Sequence, residues 1–74
     1  MKAYMLINCA RDQALAVAEA SRGVTGVLDA DAITGEFDVV VTLEAGDLSE
    51  LRAVMTGVQR IGGILKTTTC LALD

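Results

Sequence analysis

The hydrophobic pattern of this 74-residue chain changes period repeatedly, and each change marks an element. Ala3-Tyr4-Met5-Leu6-Ile7-Asn8-Cys9 is apolar at both parities, Ala3, Met5, Ile7 and Cys9 on one side and Tyr4 and Leu6 on the other. A strand with one wet face alternates; this one does not, which predicts a central strand covered on both faces. From Asp12 the chain turns alanine-rich, and Ala14, Val17, Ala18 and Ser21 fall at i, i+3, i+4 and i+7. That spacing predicts a helix with a narrow small-residue face, Asp12 as its N-cap and Gly23 as the glycine that ends it.

Val24 to Ile33 reads as a second strand, irregular in pattern, with Asp29 and Asp31 suited to a sheet edge. Thr34-Gly35-Glu36 reads as a tight hairpin turn, glycine supplying the positive φ. Phe37 to Glu44 follows as a third strand with Phe37, Val39, Val41 and Leu43 on one face. Ala45-Gly46 breaks it. Asp47 with Glu50 three residues on is a capping-box start. Leu48, Leu51, Met55 and Val58, flanked by Val54 and Ile61, then give the clearest amphipathic helix. Gly62-Gly63 stops it, and Ile64 to Leu73 is the last strand, rich in threonine.

The order β-α-β-β-α-β predicts an α+β, ferredoxin-like sandwich spanning residues 1–74 as a single domain. Right-handed crossovers put the first and third strands at the centre of an antiparallel four-stranded sheet, the second and fourth at its edges. Two helices cover one face only. The other would be a bare apolar patch, so the expectation is a homodimer packed sheet to sheet, a dimeric α+β barrel.

Composition narrows the function classes. The chain is 53% hydrophobic with Tyr4 and Phe37 as its aromatics, no histidine and a net charge of −4. Its basic residues are scattered singly, which argues against direct nucleic-acid binding. No apolar run approaches the ~20 residues of a membrane span, and Met1-Lys2-Ala3 leaves no room for a signal peptide, so a soluble, cytoplasmic protein is expected. Cys9 and Cys70 form no C-x-x-C pair; free, reduced thiols are expected, with no metal site and no cofactor. Without histidine or paired carboxylates beside a nucleophile, the residues do not compose a catalytic set.

The runs A-Y-M-L-I-N, T-G-E-F-D-V-V-V and I-L-K-T-T-T-C-L-A-L resemble the ligand-binding (RAM) domain of the Lrp/AsnC family of transcriptional regulators over essentially the whole chain. The most diagnostic piece is a G-x-[YF]-D signature, here Gly35-Glu36-Phe37-Asp38. The resemblance implies an oligomeric sensor of an amino acid or related metabolite, assembled as dimers into an octamer or similar ring. It also implies a ligand site formed by Gly35, Glu36, Phe37, Asp38, Thr67, Thr68 and Thr69. Typical members carry a helix-turn-helix domain, whereas this chain begins at the first strand of the ligand domain and looks like a stand-alone member. Transcription or amino-acid metabolism would then be regulated through a partner such as a full-length Lrp/AsnC regulator. A regulatory or structural subunit without a working ligand site is the alternative, and a small dimeric ferredoxin-like enzyme a more distant one. Phe37 stands where tyrosine is frequent, which removes a phenol hydroxyl.

Overall fold

A computed structural model describes residues 1–74. Its elements are β1 (Lys2–Cys9), α1 (Ala14–Arg22), β2 (Val27–Ala32), β3 (Val39–Glu44), α2 (Leu48–Gln59) and β4 (Ile64–Leu71). They form one antiparallel sheet in the order β2-β3-β1-β4. This is the ferredoxin-like βαββαβ fold, with β1 and β3 central as their two-sided apolar pattern predicts.

The core lies between the sheet and the helices. Ala3, Met5 and Ile7 of β1 and Val39, Val41 and Leu43 of β3 are fully buried, facing Val17, Ala18 and Ser21 of α1 and Leu51, Val54 and Val58 of α2. Each large aliphatic side chain so enclosed contributes on the order of 2 kcal/mol. Small residues on α1 let the helix lie close to the sheet. Ser21, the one buried polar side chain, donates its hydroxyl back to the Val17 carbonyl at 2.7 Å, so nothing polar is stranded there.

The other face of the sheet is open. Tyr4, Leu6, Val40 and Thr42 are half-buried there, while Asp29, Asp31, Thr68 and Cys70 are exposed. Register aligns them in rows: Asp31, Val40, Leu6 and Thr68 in one, and Asp29, Thr42, Tyr4 and Cys70 in the next.

Several local expectations are corrected. Asp12 does not cap α1: it sits at φ 63, Gln13 holds the cap position, and no side chain closes that end. The close approach of Gly63 to Gln13 and the Ala10 N–H bond to the Gly63 carbonyl (2.7 Å) take up the turn instead. Gly23 stays right-handed at φ −83, and the left-handed residue of that connection is Gly26 at φ 95. Residues Val24 to Gly26 therefore belong to the turn, and β2 starts at Val27. Phe37 and Asp38 precede β3 rather than opening it, so the hairpin connection is Ile33–Asp38 and not a tight turn. Leu48 is 57% exposed, off the buried stripe of α2. The capping of α2 is nearly as expected. Asp47 accepts from the Glu50 N–H, but the Glu50 carboxylate reaches the N–H of Gly46, one residue earlier than in a standard capping box. β4 ends at Leu71, not Leu73.

Candidate functional site

Four of the seven residues singled out in the sequence lie together in the Ile33–Asp38 connection, and its shape follows from a few bonds. The Ile33 N–H donates to the Asp38 carbonyl at 2.9 Å, closing the loop. Gly35 adopts φ 116 at the tip, with no atom near the place a Cβ would occupy. Glycine is needed there for the backbone angle, not for space.

The loop is then pinned to the end of β1. The Asp38 N–H donates to the Ile7 carbonyl at 2.8 Å, and Asp38 Oδ2 accepts the Cys9 N–H at 2.7 Å. The Asn8 side-chain amide donates to the Glu36 carbonyl at 2.9 Å. Asn8, which sequence reasoning assigned to the strand–loop junction, is thus part of the support for the signature. The backbone amide of Cys9 was missed, because no residue pattern marks an amide that a strand leaves unpaired at its end.

Charge follows geometry. Partial burial, and then the negative charge of Asp38, push the Cys9 thiol above its ordinary pKa, so it stays protonated near neutrality. Cys70 is exposed, and both thiols are free. Cys70 pairs with Tyr4 and Cys9 with Ile64, about 17 Å apart along β1, beyond bridging distance. No group of three His, Cys, Asp or Glu side chains is placed to hold a metal ion.

What the loop leaves unbound defines its chemistry. The N–H groups of Gly35, Glu36 and Phe37 donate to nothing within the chain, and Asp38 Oδ1 accepts nothing. Three free backbone donors and one free carboxylate oxygen therefore lie within a four-residue stretch. That combination suits a ligand bearing both an anionic and an ammonium group.

Thr67, Thr68 and Thr69 are elsewhere. β4 is separated from β3 by β1, so they stand two strand spacings, about 10 Å, from the β3 side of the sheet. They also divide between faces. Thr67 and Thr69 pair with Ile7 and Met5 on the helix side, and Thr67 Oγ1 accepts from the Gln59 amide at 3.2 Å. Thr68 pairs with Leu6 on the open face. One chain therefore does not bring the threonines to its own hairpin.

Comparison with known proteins places the fold. A Thermus thermophilus protein, TTHA0845, has the same fold at a TM-score of 0.90 and 28% identity, the match covering 99% of this chain and 92% of that one. AsnC of E. coli superposes at a TM-score of 0.87 with 17% identity, and a Neisseria meningitidis transcriptional regulator, NMB0573, solved as its L-Met complex, at 0.81 with 20%. Each is matched over 99% of this chain but only about half of its own length, 50% and 49%. No curated protein matches the chain in sequence. The family model of the Lrp/AsnC ligand binding domain matches residues 2–74. With the fold and the Gly35–Asp38 loop in place, the chain belongs to the Lrp/AsnC ligand-binding family, a regulatory ligand-binding domain of transcription regulators.

Proposed function

We propose that this protein is a sensing module for an amino acid or closely related metabolite, bound at the Gly35-Glu36-Phe37-Asp38 loop. The observation that carries the reading is the pairing of free loop amides with the open Asp38 Oδ1. The amides receive the ligand carboxylate and Asp38 its ammonium; of the three threonines, Thr68 on the open face is the one a neighbouring protomer supplies. The L-Met complex of the Neisseria regulator, a protein of the same fold, supports this ligand class.

Assembly follows from the open face. Tyr4, Leu6, Val40 and Thr42 form a half-buried, largely apolar surface on a sheet whose helices lie only on its other side. A second copy packed against it makes the homodimer, and dimers associate further into an octamer or similar ring, in the cytoplasm. The module acts through a partner that reads DNA, and not as an enzyme.

The test is a thermal-shift panel of the standard amino acids with the wild-type protein and Asp38→Asn. Asparagine keeps an oxygen for the Cys9 N–H but loses the charge that holds an ammonium. At least one amino acid should raise the wild-type melting temperature by several degrees through binding to the folded state, with the shift lost in Asp38→Asn. A panel that moves neither protein rejects the sensor.

A second reading rests on the fold this chain shares with domains of longer regulators. The protein would then co-assemble with a full-length regulator as a subunit without ligand. Co-purification of such a regulator from the native host, together with a silent amino-acid panel, selects it.

A further inference from the structure

The charges of the open face are sorted by strand. β2 and β3 carry Asp29, Asp31 and Glu44, all exposed, with no lysine or arginine on either strand, and Asp38 stands at their hairpin end. β1 and β4 carry Lys2 and Lys66, also exposed, and neither strand holds an aspartate or glutamate. Alternation places these residues away from the helices: their neighbours Ala3, Ala30 and Leu43 are buried in the core, and Lys66 pairs with Asn8, next to the buried Ile7. The apolar middle of the face, Tyr4, Leu6 and Val40, separates the two kinds of charge.

Charges around the sheet leave this sorting in place. Arg22 reaches the outer edge of β2 from α1, where its Nε donates to the Ala30 carbonyl at 3.0 Å, one charge beside two aspartates. The Met1 ammonium, on the Ala45 carbonyl at 2.9 Å, extends the basic end of β1. Asp74 lies past the last bond of the sheet, Ala72 N–H to the Lys2 carbonyl. Within one chain, Lys66 is three strand spacings, about 14 Å, from Asp29 and Asp31.

Two aligned sheets packed face to face by a two-fold have its axis in the plane between them, along the strands or across them. An axis across the strands lays each strand over its own copy. Asp29 and Asp31 then face Asp29 and Asp31, and Lys66 faces Lys66, each against like charge. An axis along the strands exchanges the halves and keeps the rows. Leu6 then faces the partner's Val40, Tyr4 the partner's Thr42 and Glu44 the partner's Lys2, while the partner's Lys66 comes to the hairpin end of β2, beside Asp31.

We propose that a second copy docks on the open face about a two-fold axis running along the strands, so that β2 and β3 of each protomer cover β4 and β1 of the other. The proposal rests on the sheet-to-sheet homodimer and adds its orientation. The orientation decides what reaches the ligand site. The partner's Thr68 stands over β2, the strand that leads into the Ile33–Asp38 hairpin, whereas an axis across the strands leaves it over β4.

The test is cross-linking with a short bismaleimide, read as covalent dimer on a denaturing gel, in a Cys9→Ala background that leaves Cys70 as the one thiol. In the proposed dimer Cys70 lies across from the partner's Asp29, about 10 Å away, and three strand spacings to the side of the partner's Cys70. Cys9→Ala alone should give little covalent dimer, Asp29→Cys/Cys9→Ala should bridge most chains, and adding Cys70→Ala should abolish the product. Affinity supplies a second reading: Asp31→Asn and Lys66→Gln should each weaken the dimer about threefold, and the double variant by less than the product of the two. Three outcomes overturn the orientation: equal bridging in Cys9→Ala alone, bridging that survives Cys70→Ala, or independent effects of Asp31→Asn and Lys66→Gln. Wild type sedimenting as a monomer would instead remove the homodimer itself.

Discussion

Asp38 Oδ2 accepts the backbone N–H of Cys9 at 2.7 Å, joining the residue before β3 to the last residue of β1. The signature aspartate is therefore a structural acceptor before it is anything else. Removing it leaves a partly buried amide without its charged partner, a loss of about 1–3 kcal/mol. Asp38→Ala should lower stability by that amount in urea unfolding, and Asp38→Asn by clearly less. Equal stability of the alanine variant and the wild type would show that the bond is not formed in solution.

The two cysteines should separate kinetically. In a chain freed of its sheet-to-sheet partner, as in Leu6→Glu, Cys70 is exposed and labels first with a thiol reagent at neutral pH, while Cys9 is held protonated by burial and by the Asp38 charge and labels slowly. The slow phase should vanish in Cys9→Ala.

The same shift fixes a pH dependence. Because the Cys9 thiol keeps its proton to higher pH in the folded state than in the unfolded one, the unfolded chain ionises first. Its contribution is intact below the ordinary thiol pKa of about 8.5 and is lost as pH rises through the folded value. Urea-unfolding free energies measured across this range should fall more steeply with pH for wild type than for Cys9→Ala.

Two left-handed glycines should respond differently to alanine. Gly35 at φ 116 has open space around it, so Gly35→Ala carries only the backbone cost, about 1–2 kcal/mol. Gly26 at φ 95 carries that cost together with a Cβ driven into Val54. Gly26→Ala should lose about 2 kcal/mol or more beyond the Gly35 variant. Thermal or urea unfolding of the pair checks the order.

Leu6 stands in the middle of the open face, between Val40 and Thr68. Leu6→Glu places a charge where a second copy would pack, and sedimentation should show the variant as monomer at concentrations where wild type is dimeric. Wild type sedimenting as a monomer at micromolar concentration would remove the sheet-to-sheet dimer.

The order of elements, and which strands are central, could be read from the chain before any contact was known. Both follow from periodicity, and periodicity is a property of neighbours in the chain: the doubly apolar β1 and β3, the Ala14–Val17–Ala18–Ser21 face, the Asp47 cap. The Gly35–Asp38 signature was legible too, as four consecutive residues. Other features became visible only on folding, because they join groups far apart in sequence. Twenty-nine residues separate the Cys9 amide from Asp38, and no local pattern records that one occupies the other. Thr67 to Thr69 look like one cluster in the chain, but strand alternation sends them to both sides of the sheet, and β1 stands between them and the hairpin. The N-terminal boundary of α1 failed for the same reason, whereas Gly23 ends the helix as expected. Asp12 has the right chemistry for a cap, but it lies in the left-handed region at φ 63 and Gln13 takes the cap position beside Gly63. Gly26 meets Val54 of α2 across the fold, a contact the chain gives no sign of until it closes.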